Sequence, residues 1–371
     1  MPEKLIMLPG PTQVPERILK VMSKPVINHR GAEFEKLYVE IAEGLKYLFQ
    51  TQKNDVYPLT ASGTGAVECA ALNVVEKGDK VIVPTNGEFS ERLAEAIEKA
   101  GAQVVNPKFE LGTQIEPNAV EEVLHENDDA KMIAFVYNET ACGIRNPAEE
   151  LTRIAREHDV LVMIDAISNL GGDYLHMDNW NVDVVVTGSQ KCLACPPGLS
   201  FISLGADAWS KVEKRKEKVE TIYFDLSKIR EFHKKNQTPF TPAVPLFYAL
   251  QEALKMLKEE GYDKRIKRHA DCAKAMREGL KQLGLKLFPK EEQYSSNTVT
   301  ASFGPQGLPV ADMIKKLLED TGIVIAGGMG ETKGKIFRVG TMGTCTMNEV
   351  NVTLNGIKSV LGKLGAKPKK A

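Results

Sequence analysis

The 371-residue sequence lacks long apolar runs and an excess of charge of either sign. No segment approaches the roughly 18 uninterrupted apolar residues that a membrane-spanning helix needs. The first apolar run, LIML, ends after four residues at Pro9, which is too short for the core of a signal peptide. The 48 basic and 49 acidic side chains cancel, so the charge balance does not favour nucleic acid or an anionic membrane as a partner. We therefore expect a cytoplasmic protein that binds neither, with the basic KPKK end as a solvated tail.

Cysteine and histidine are also scarce, and their spacing indicates little metal chemistry. A chain with 43% hydrophobic residues can bury a large core without disulfides, so we expect reduced thiols. Cys192 and Cys195 form a C-x-x-C pair, but a zinc site of this spacing needs a second ligand pair that the sequence does not offer. Five histidines lie on charged helical or loop segments without metal-ligand spacing, and we expect no metal site: His125, His158, His176, His233 and His269.

From about residue 56, short β-branched runs alternate with segments of helical period. KVIVP precedes FSERLAEAIEKA, and KMIAFVY precedes PAEELTRIAREH. Near-continuous apolar strands separated by helices are typical of a doubly wound α/β layer with a mostly parallel sheet between helices. Ligands of such sheets bind beyond the carboxyl ends of the strands.

After about residue 205 the strands become fewer and mix with charged helices, which is typical of a smaller α+β domain. We expect an N-terminal arm over residues 1–20, a large domain over 21–255 and a small C-terminal domain over 256–371.

Four features lie at predicted strand ends. The segment ASGTGA at 61–66 follows a strand and opens a helix, which is compatible with a phosphate cradle or with a plain turn. Asp165 ends the apolar run VLVMID, where a carboxylate either caps a turn or meets a cationic ligand atom. Lys191 follows DVVVTG, and partial burial would lower its pKa toward the neutral amine that bonds to an aldehyde. Arg338 in KIFRVG offers the planar fork that binds a carboxylate, or an ion pair between domains.

Together the four features are more specific than any one of them. They supply a phosphate cradle, an acid for a pyridine nitrogen, a lysine for an aldehyde and an arginine for an α-carboxylate. Those are the requirements of pyridoxal 5′-phosphate acting on an amino acid.

The sequence resembles the class V, fold-type I aminotransferases, near the serine-pyruvate and alanine-glyoxylate branch. The most specific piece is GSQKCLACPPG, which is similar to the family's segment around the cofactor-binding lysine. Supporting pieces run from LPGPTQVPERI near the start to GKIFRVGTMG, and include ASGTGAVE, TNGEF, NETACGIRNP, IDAISNLGGD and TPFTPAV. The resemblance implies transfer of an amino group between alanine or serine and glyoxylate or pyruvate, by a ping-pong mechanism.

The resemblance also implies roles for individual residues. Lys191 would bind the cofactor aldehyde and then move the proton between substrate and cofactor, and Asp165 would keep the pyridine nitrogen protonated. Ile167 would pack on one face of the ring, and Phe89 would stack on the other. The phosphate would be held by Thr64, Gly65, Ala66 and Gln190.

The remaining implied roles concern the substrate and the partner subunit. Thr140 would lie near the ring hydroxyl and the substrate carboxylate, which Arg338 would bind. The backbone of Gly10 would line a small substrate pocket. Thr241 would reach the phosphate of the partner subunit, so the resemblance implies a homodimer with shared active sites.

The identity of the amino donor stays open at Arg30. The segment HRGAEF at 29–34 is similar to one in phosphoserine aminotransferases, where a His-Arg pair from the other subunit contacts a distal anion of the substrate. On that reading His29 and Arg30 would admit aspartate, glutamate or phosphoserine as donors with 2-oxoglutarate. On the other reading Arg30 only fixes the dimer interface.

Two other functions stay as alternatives. A lyase of the cysteine desulfurase kind would need a mobile cysteine near the substrate, for which Cys345 in GTMGTCTMNE is the candidate. A redox module would use Cys192 and Cys195, although thioredoxin-like motifs open a helix in a much smaller unit.

Overall fold

The computed structural model describes residues 4–365, so residues 1–3 and the KPKK end lie outside the described residues. The strands are β1 Leu5–Ile6, β2 Val56–Leu59, β3 Lys80–Ile82, β4 Gln103–Val105, β5 Met132–Val136, β6 Asn138–Glu139, β7 Ile144–Arg145, β8 Leu161–Asp165, β9 Val184–Gly188, β10 Ser200–Leu204, β11 Val299–Phe303, β12 Ile323–Val324, β13 Ala326–Gly327 and β14 Ile336–Gly340.

The helices of the same residues are α1 Glu16–Val21, α2 Ala32–Phe49, α3 Gly63–Val74, α4 Glu88–Lys99, α5 Pro117–Glu126, α6 Ala148–Glu157, α7 Met177–Trp180, α8 Ala206–Glu213, α9 Leu226–His233, α10 Val244–Glu260, α11 Tyr262–Gln282, α12 Val310–Thr321 and α13 Met347–Lys363. Two short 3-10 helices cover Glu292–Tyr294 and Gly330–Thr332. None of the helices described is both long enough and apolar enough to cross a membrane.

A seven-stranded sheet forms the centre of the large part of the chain. Its strand order is β2-β10-β9-β8-β5-β3-β4. Strand β10 is antiparallel to both of its neighbours, and the other adjacent pairs are parallel. The predicted α/β fold with a mostly parallel sheet is therefore confirmed. The carboxyl ends of β2, β5, β8 and β9 share one edge of the sheet, because β2 and β9 both run opposite to β10.

Both faces of this sheet are covered by helices, which explains the continuous apolar strand sequences. In β5, Ile133 and Phe135 belong to the core on one face, whereas Met132 and Ala134 belong to the core on the other. All of β5 is buried. Successive side chains of a strand point to opposite faces, so a strand covered on both sides has no solvent-facing position for a polar residue.

The later part of the chain builds a second layer of strands and helices. Strands β11, β14 and β13 form an antiparallel sheet in that order. A separate core lies here, with buried side chains from α11, α12, α13 and β14. Residues 5–7 join it, because β1 pairs in parallel with β12 and Met7 is buried in this core.

The domain limits stay a prediction. Residue 255 lies inside α10, and the break between α10 and α11 falls at Gly261. Residues 5–7 of the predicted arm are hydrogen-bonded to the later strands, with Met7 O accepting from the Gly340 N–H at 2.8 Å.

A substitution of Gly340 tests how much the contact between β14 and residues 7–9 stabilises the fold. A Cβ at this position would meet the Leu8 carbonyl oxygen at 2.0 Å and Pro9 N at 2.9 Å. Backbone cannot rotate away as a side chain can, so Gly340→Ala should lower the free energy of unfolding by about 1–3 kcal/mol, measured by urea denaturation at one protein concentration.

Gly362→Ala is the matched control. Gly362 lies in α13, and a Cβ there meets no atom within 4 Å. Alanine is better than glycine in a helix interior by about 1 kcal/mol, so this variant should be neutral or slightly more stable. Equal unfolding midpoints for the two variants would contradict the proposed contact.

Candidate active site

A cavity of about 280 Å³ lies at the shared carboxyl edge of the central sheet. Its lining includes eight of the residues singled out from the sequence: Gly10, Thr64, Phe89, Thr140, Asp165, Ile167, Gln190 and Lys191. Gly65 and Ala66 are buried in the first turn of α3 directly behind this lining. Five residues identified separately along the chain as site candidates, Thr64, Phe89, Thr140, Asp165 and Lys191, are thus brought together by the fold.

Lys191 lies in the loop that follows β9. Its Nζ donates a hydrogen bond to the Pro9 carbonyl oxygen at 2.5 Å. Burial lowers the pKa of the Lys191 ammonium from its usual value to about 8, because a cation is poorly solvated there. A substantial fraction of the amine is therefore neutral near pH 8, and only the neutral form is a nucleophile.

Gly10 approaches the Lys191 side chain more closely than any other residue type could. A Cβ at Gly10 would lie 2.5 Å from Lys191 Cδ and 2.7 Å from Nζ, and Gly10 has a φ of +98°. The next turn is attached to the same loop, since Thr12 N donates to the Gln190 carbonyl oxygen at 3.1 Å. The N-terminal segment therefore covers the lysine with backbone instead of side chain.

Asp165 is the last residue of β8 and is 7% exposed. Its Oδ1 accepts a hydrogen bond from the Ile167 N–H at 2.9 Å. Burial raises the pKa of the Asp165 carboxyl to about 6, although the Ile167 N–H opposes this. A cation beside Asp165 would favour the carboxylate and offset the cost of burying it.

The start of α3 lies at the cavity wall and is a candidate anion cradle. Ser62 caps the helix, its Oγ accepting from Gly65 N at 3.3 Å. The first turn of a helix has N–H groups without intrahelical partners, and these attract anions. Thr64 adds a hydroxyl and Gln190 an amide to the same wall. Gln190 Oε1 is buried and has no hydrogen-bond partner within residues 4–365.

Phe89 and Arg338 approach the cavity from different parts of the chain. Phe89 lies in the first turn of α4, with the Arg92 guanidinium 5.0 Å from its ring centre. Arg338 lies on β14 and is not part of the cavity lining itself. Its Nη1 donates to the carbonyl oxygen of Thr140, a lining residue, at 3.1 Å, and its Nε donates to the Gly327 carbonyl oxygen at 2.9 Å. Burial lowers the pKa of Arg338, but an arginine stays charged.

Two predicted residues lie away from this cavity in their own chain. Thr241 is exposed and does not line it. Arg30 is used within its own chain, where Nη1 donates to Thr238 O at 2.5 Å and Nη2 to Pro239 O at 3.0 Å. Its guanidinium also lies 5.2 Å from the centre of the Phe232 ring. Arg30 thereby attaches the start of α2 to the segment that carries Thr241.

The cysteines that supported other functions are all buried. Cys192 and Cys195 are free thiols with 1% exposure each. Burial raises the pKa of Cys192 to about 12 and that of Cys195 further, so neither is a reactive thiolate at neutral pH. Cys345 is buried, does not line the cavity, and its thiol pKa is raised by the neighbouring Cys272 and by burial.

The sequence analysis missed Glu139, a fully buried carboxylate beside the cavity. Its Oε2 accepts from the Phe89 and Ser90 N–H groups at 3.1 and 2.9 Å, and its Oε1 from Ala141 N at 3.0 Å. Glu139 therefore caps α4 from a distant strand and fixes the backbone of Phe89. Its pKa is raised by burial, against the effect of these N–H donors. An acid three positions after the end of the buried strand β5 was the available signal.

Comparison with known proteins identifies close relatives over nearly the full length. The family model described as Aminotransferase class-V matches residues 7–347. An uncharacterized aminotransferase of Methanocaldococcus jannaschii is 41% identical over 100% of this chain and 95% of its own length. A serine–glyoxylate aminotransferase of Methylorubrum extorquens is 32% identical over 94% of this chain and 88% of its own. The crystal structure of ureidoglycine–glyoxylate aminotransferase from Bacillus subtilis superposes with a TM-score of 0.95 at 32% identity, covering 100% of this chain and 96% of that one.

Glu139→Gln tests the cap on α4. The amide retains only one oxygen, so its NH2 group would face N–H donors of Phe89, Ser90 or Ala141, and a buried donor left unpaired costs about 1–3 kcal/mol. We expect a loss of stability of that size in chemical denaturation, together with weaker cofactor binding because Phe89 loses its support.

Glu95→Gln provides the control on the same helix. Glu95 is exposed and pairs with Lys99 one turn along, so its substitution should change stability by only a few tenths of a kcal/mol. Indistinguishable stability of the two variants would show that Glu139 does not hold α4.

Proposed function

The chain belongs to the class V aminotransferases, and from this premise we propose that it moves an amino group from a small amino acid, alanine or serine, to glyoxylate or pyruvate. The observation that carries the proposal is the shared cavity of Lys191 and Asp165 beside the α3 anion cradle. Serine–glyoxylate and ureidoglycine–glyoxylate enzymes are among the relatives, which supports glyoxylate as the acceptor.

The residues present fit pyridoxal phosphate. The cradle at the start of α3 suits its phosphate, with Thr64 and Gln190 as further polar groups. Asp165 suits a protonated pyridine nitrogen, since a buried carboxylate is stabilised by a cation opposite it. Phe89 and Ile167 line the same cavity with an aromatic and an aliphatic surface, between which a flat ring can pack.

When bound, pyridoxal phosphate supplies an electron sink that makes the Cα–H bond of an amino acid acidic. Lys191 has the properties of the base that takes this proton, since its amine is partly neutral near pH 8. Lys191 Nζ also donates to Pro9 O, so the amine is held at one position on the cavity wall. Asp165 would act electrostatically and keep a proton on the pyridine nitrogen of the cofactor.

The substrate would lie between Arg338 and the N-terminal segment. Arg338 is attached to the Thr140 carbonyl oxygen, at the cavity wall, where its fork can orient an α-carboxylate. The Gly10 backbone, which lies against Lys191 in the cavity lining, would face the substrate from the other side. Donor and acceptor would bind at this position in turn, as a ping-pong cycle requires.

We further propose that the enzyme is a homodimer whose sites each take Thr241 from the partner subunit. Thr241 is exposed in its own chain and does not line the cavity there. The segment before it is fixed by Arg30 through the Thr238 and Pro239 carbonyl oxygens. These contacts favour the interface role of Arg30 over contact with a distal substrate anion.

Heterodimers of two inactive variants test both Lys191 and the shared site. Lys191→Ala should abolish transamination and remove the visible absorbance that comes from the covalent bond between Lys191 and the cofactor aldehyde. Thr241→Glu should weaken cofactor binding, because a carboxylate would face the phosphate. A heterodimer of the two, purified through different tags, should recover about half of the wild-type activity, since one site then contains both native residues.

Each homodimeric variant and the wild type carried through the same purification are the controls. Heterodimers as inactive as the Lys191→Ala homodimer would mean that Thr241 acts on its own chain, and full activity of the Thr241→Glu homodimer would mean that Thr241 has no role in the site. Activity of Lys191→Ala alone would contradict the assignment of the whole site.

A donor panel tests the substrate class and Arg30 together. Alanine, serine, ureidoglycine, aspartate, glutamate and phosphoserine are compared with glyoxylate, pyruvate and 2-oxoglutarate as acceptors. We expect the highest kcat/KM for alanine or serine with glyoxylate or pyruvate. Arg30→Ala should lower activity toward all donors by a similar factor, because it loosens the segment that carries Thr241.

Lys36→Ala, which removes an exposed cation from α2, the helix that begins two residues after Arg30, is the control and should match the wild type. Selective loss of aspartate, glutamate and phosphoserine in Arg30→Ala, from a wild type that prefers them, would establish the distal-anion role and overturn the small-donor proposal.

A further inference from the structure

Three potential metal ligands meet on the outer surface of the large domain, on elements that do not line the cavity. They are Glu121 and His125 on α5 and His158 at the end of α6, and their ligand atoms all lie within 4.8 Å of one another. The rings of His125 and His158 are 4.5 Å apart between centres and meet edge to face. The sequence did not indicate this group, because His158 is distant from the other two along the chain.

The fold fixes the backbone positions of all three residues. Glu121 and His125 are one turn apart and so share a face of α5. His158 is the C-cap residue of α6. On the buried face of α5, Val120 and Leu124 belong to the same core cluster as the inward side chains of α6. The two helices cannot move apart without opening that core, so the three side chains converge on a prearranged site.

The residues around Glu121, His125 and His158 leave these three side chains available to bind an ion. Glu121 takes part in no salt bridge within residues 4–365, and the nearby Arg153 is paired with Glu157 at 2.6 Å. Glu121 and His158 are partly exposed and His125 is exposed, so solvent can reach the group. All six cysteines are buried and do not compete for a soft metal at the surface.

Two imidazoles and one carboxylate form a ligand set for a first-row transition metal. Zinc binds histidine nitrogen and carboxylate oxygen at about 2.0–2.2 Å, usually in a tetrahedron. In such a tetrahedron the ligand atoms lie about 3.3 Å from one another. Rotation of the exposed side chains can bring the three ligand atoms to this separation. Magnesium and calcium prefer oxygen ligands, so a site with two nitrogens selects against them.

We propose that Glu121, His125 and His158 form a divalent transition-metal site that takes Zn²⁺, with water as the fourth ligand. The bound ion joins α5 to α6 on the surface that covers one face of the central sheet. It acts on stability and not on the transamination cavity, so the proposal is independent of the proposed function.

Titration of the chelator-treated holoenzyme with ZnCl2 tests the site. Isothermal calorimetry should detect one equivalent per subunit, and at a zinc concentration about 100 times the dissociation constant the melting temperature should rise by a few degrees. MgCl2 should produce neither effect. His125→Ala and His158→Ala should each weaken zinc binding about tenfold or more, since each removes one of three ligands.

Glu122→Gln, next to Glu121 but exposed on α5, is the matched control for Glu121→Gln and should bind zinc like the wild type. Cofactor absorbance followed during the titration identifies any zinc bound at the active site. Absence of zinc binding by the wild-type holoenzyme, or binding that survives both His125→Ala and His158→Ala, would overturn the proposal.

Discussion

The candidate active site depends on the parallel pairing of β8 with β9. In this ladder Asp165 lies opposite Val186, so the acid and the loop carrying Lys191 leave the sheet at the same edge. A slip by one residue would turn every side chain of β9 to the other face. The valines of β9 are buried on both faces and would tolerate such a slip, but the Thr187 hydroxyl at the end of β9 donates to the Ala166 carbonyl oxygen at 3.1 Å and fixes the register. The relative positions of a buried acid and a buried amine thus depend on this pairing.

Burial acts on these two groups in opposite directions. It favours the neutral form of each, raising the pKa of Asp165 to about 6 and lowering that of Lys191 to about 8. The lysine gains reactivity as a result, whereas the carboxylate becomes costly unless a cation lies beside it. The same desolvation that lowers the pKa of Lys191 would therefore favour a ligand with a positive centre near Asp165. Thr64 and the α3 N-terminus add attraction for an anion at the cavity wall.

Much of this arrangement could be predicted from the sequence, because the relevant signals are local. An apolar run that ends in Asp165, or in the loop before Lys191, marks the end of a buried strand, and a glycine-rich turn marks the start of α3. The antiparallel direction of β10 could not be predicted in this way, since direction depends on the connection and not on apolar content. Glu139 and the group formed by Glu121, His125 and His158 were also missed. Their partners are distant in sequence and are brought close only by the packing of helices on the sheet.

The N-terminal segment connects the later strands to the reactive amine. Strand β1 is hydrogen-bonded to β12, Met7 O accepts from Gly340, and two residues further on Pro9 O accepts from Lys191. Any rotation of the later strands about the central sheet must therefore carry the Pro9 carbonyl with it. Withdrawing the Pro9 carbonyl would release the Lys191 side chain and change the pKa of its amine. The same rotation would move Arg338, on β14, relative to Thr140. If Arg338 binds the substrate carboxylate as proposed, residues 5–9 connect the strand layer that carries Arg338 to the amine of Lys191.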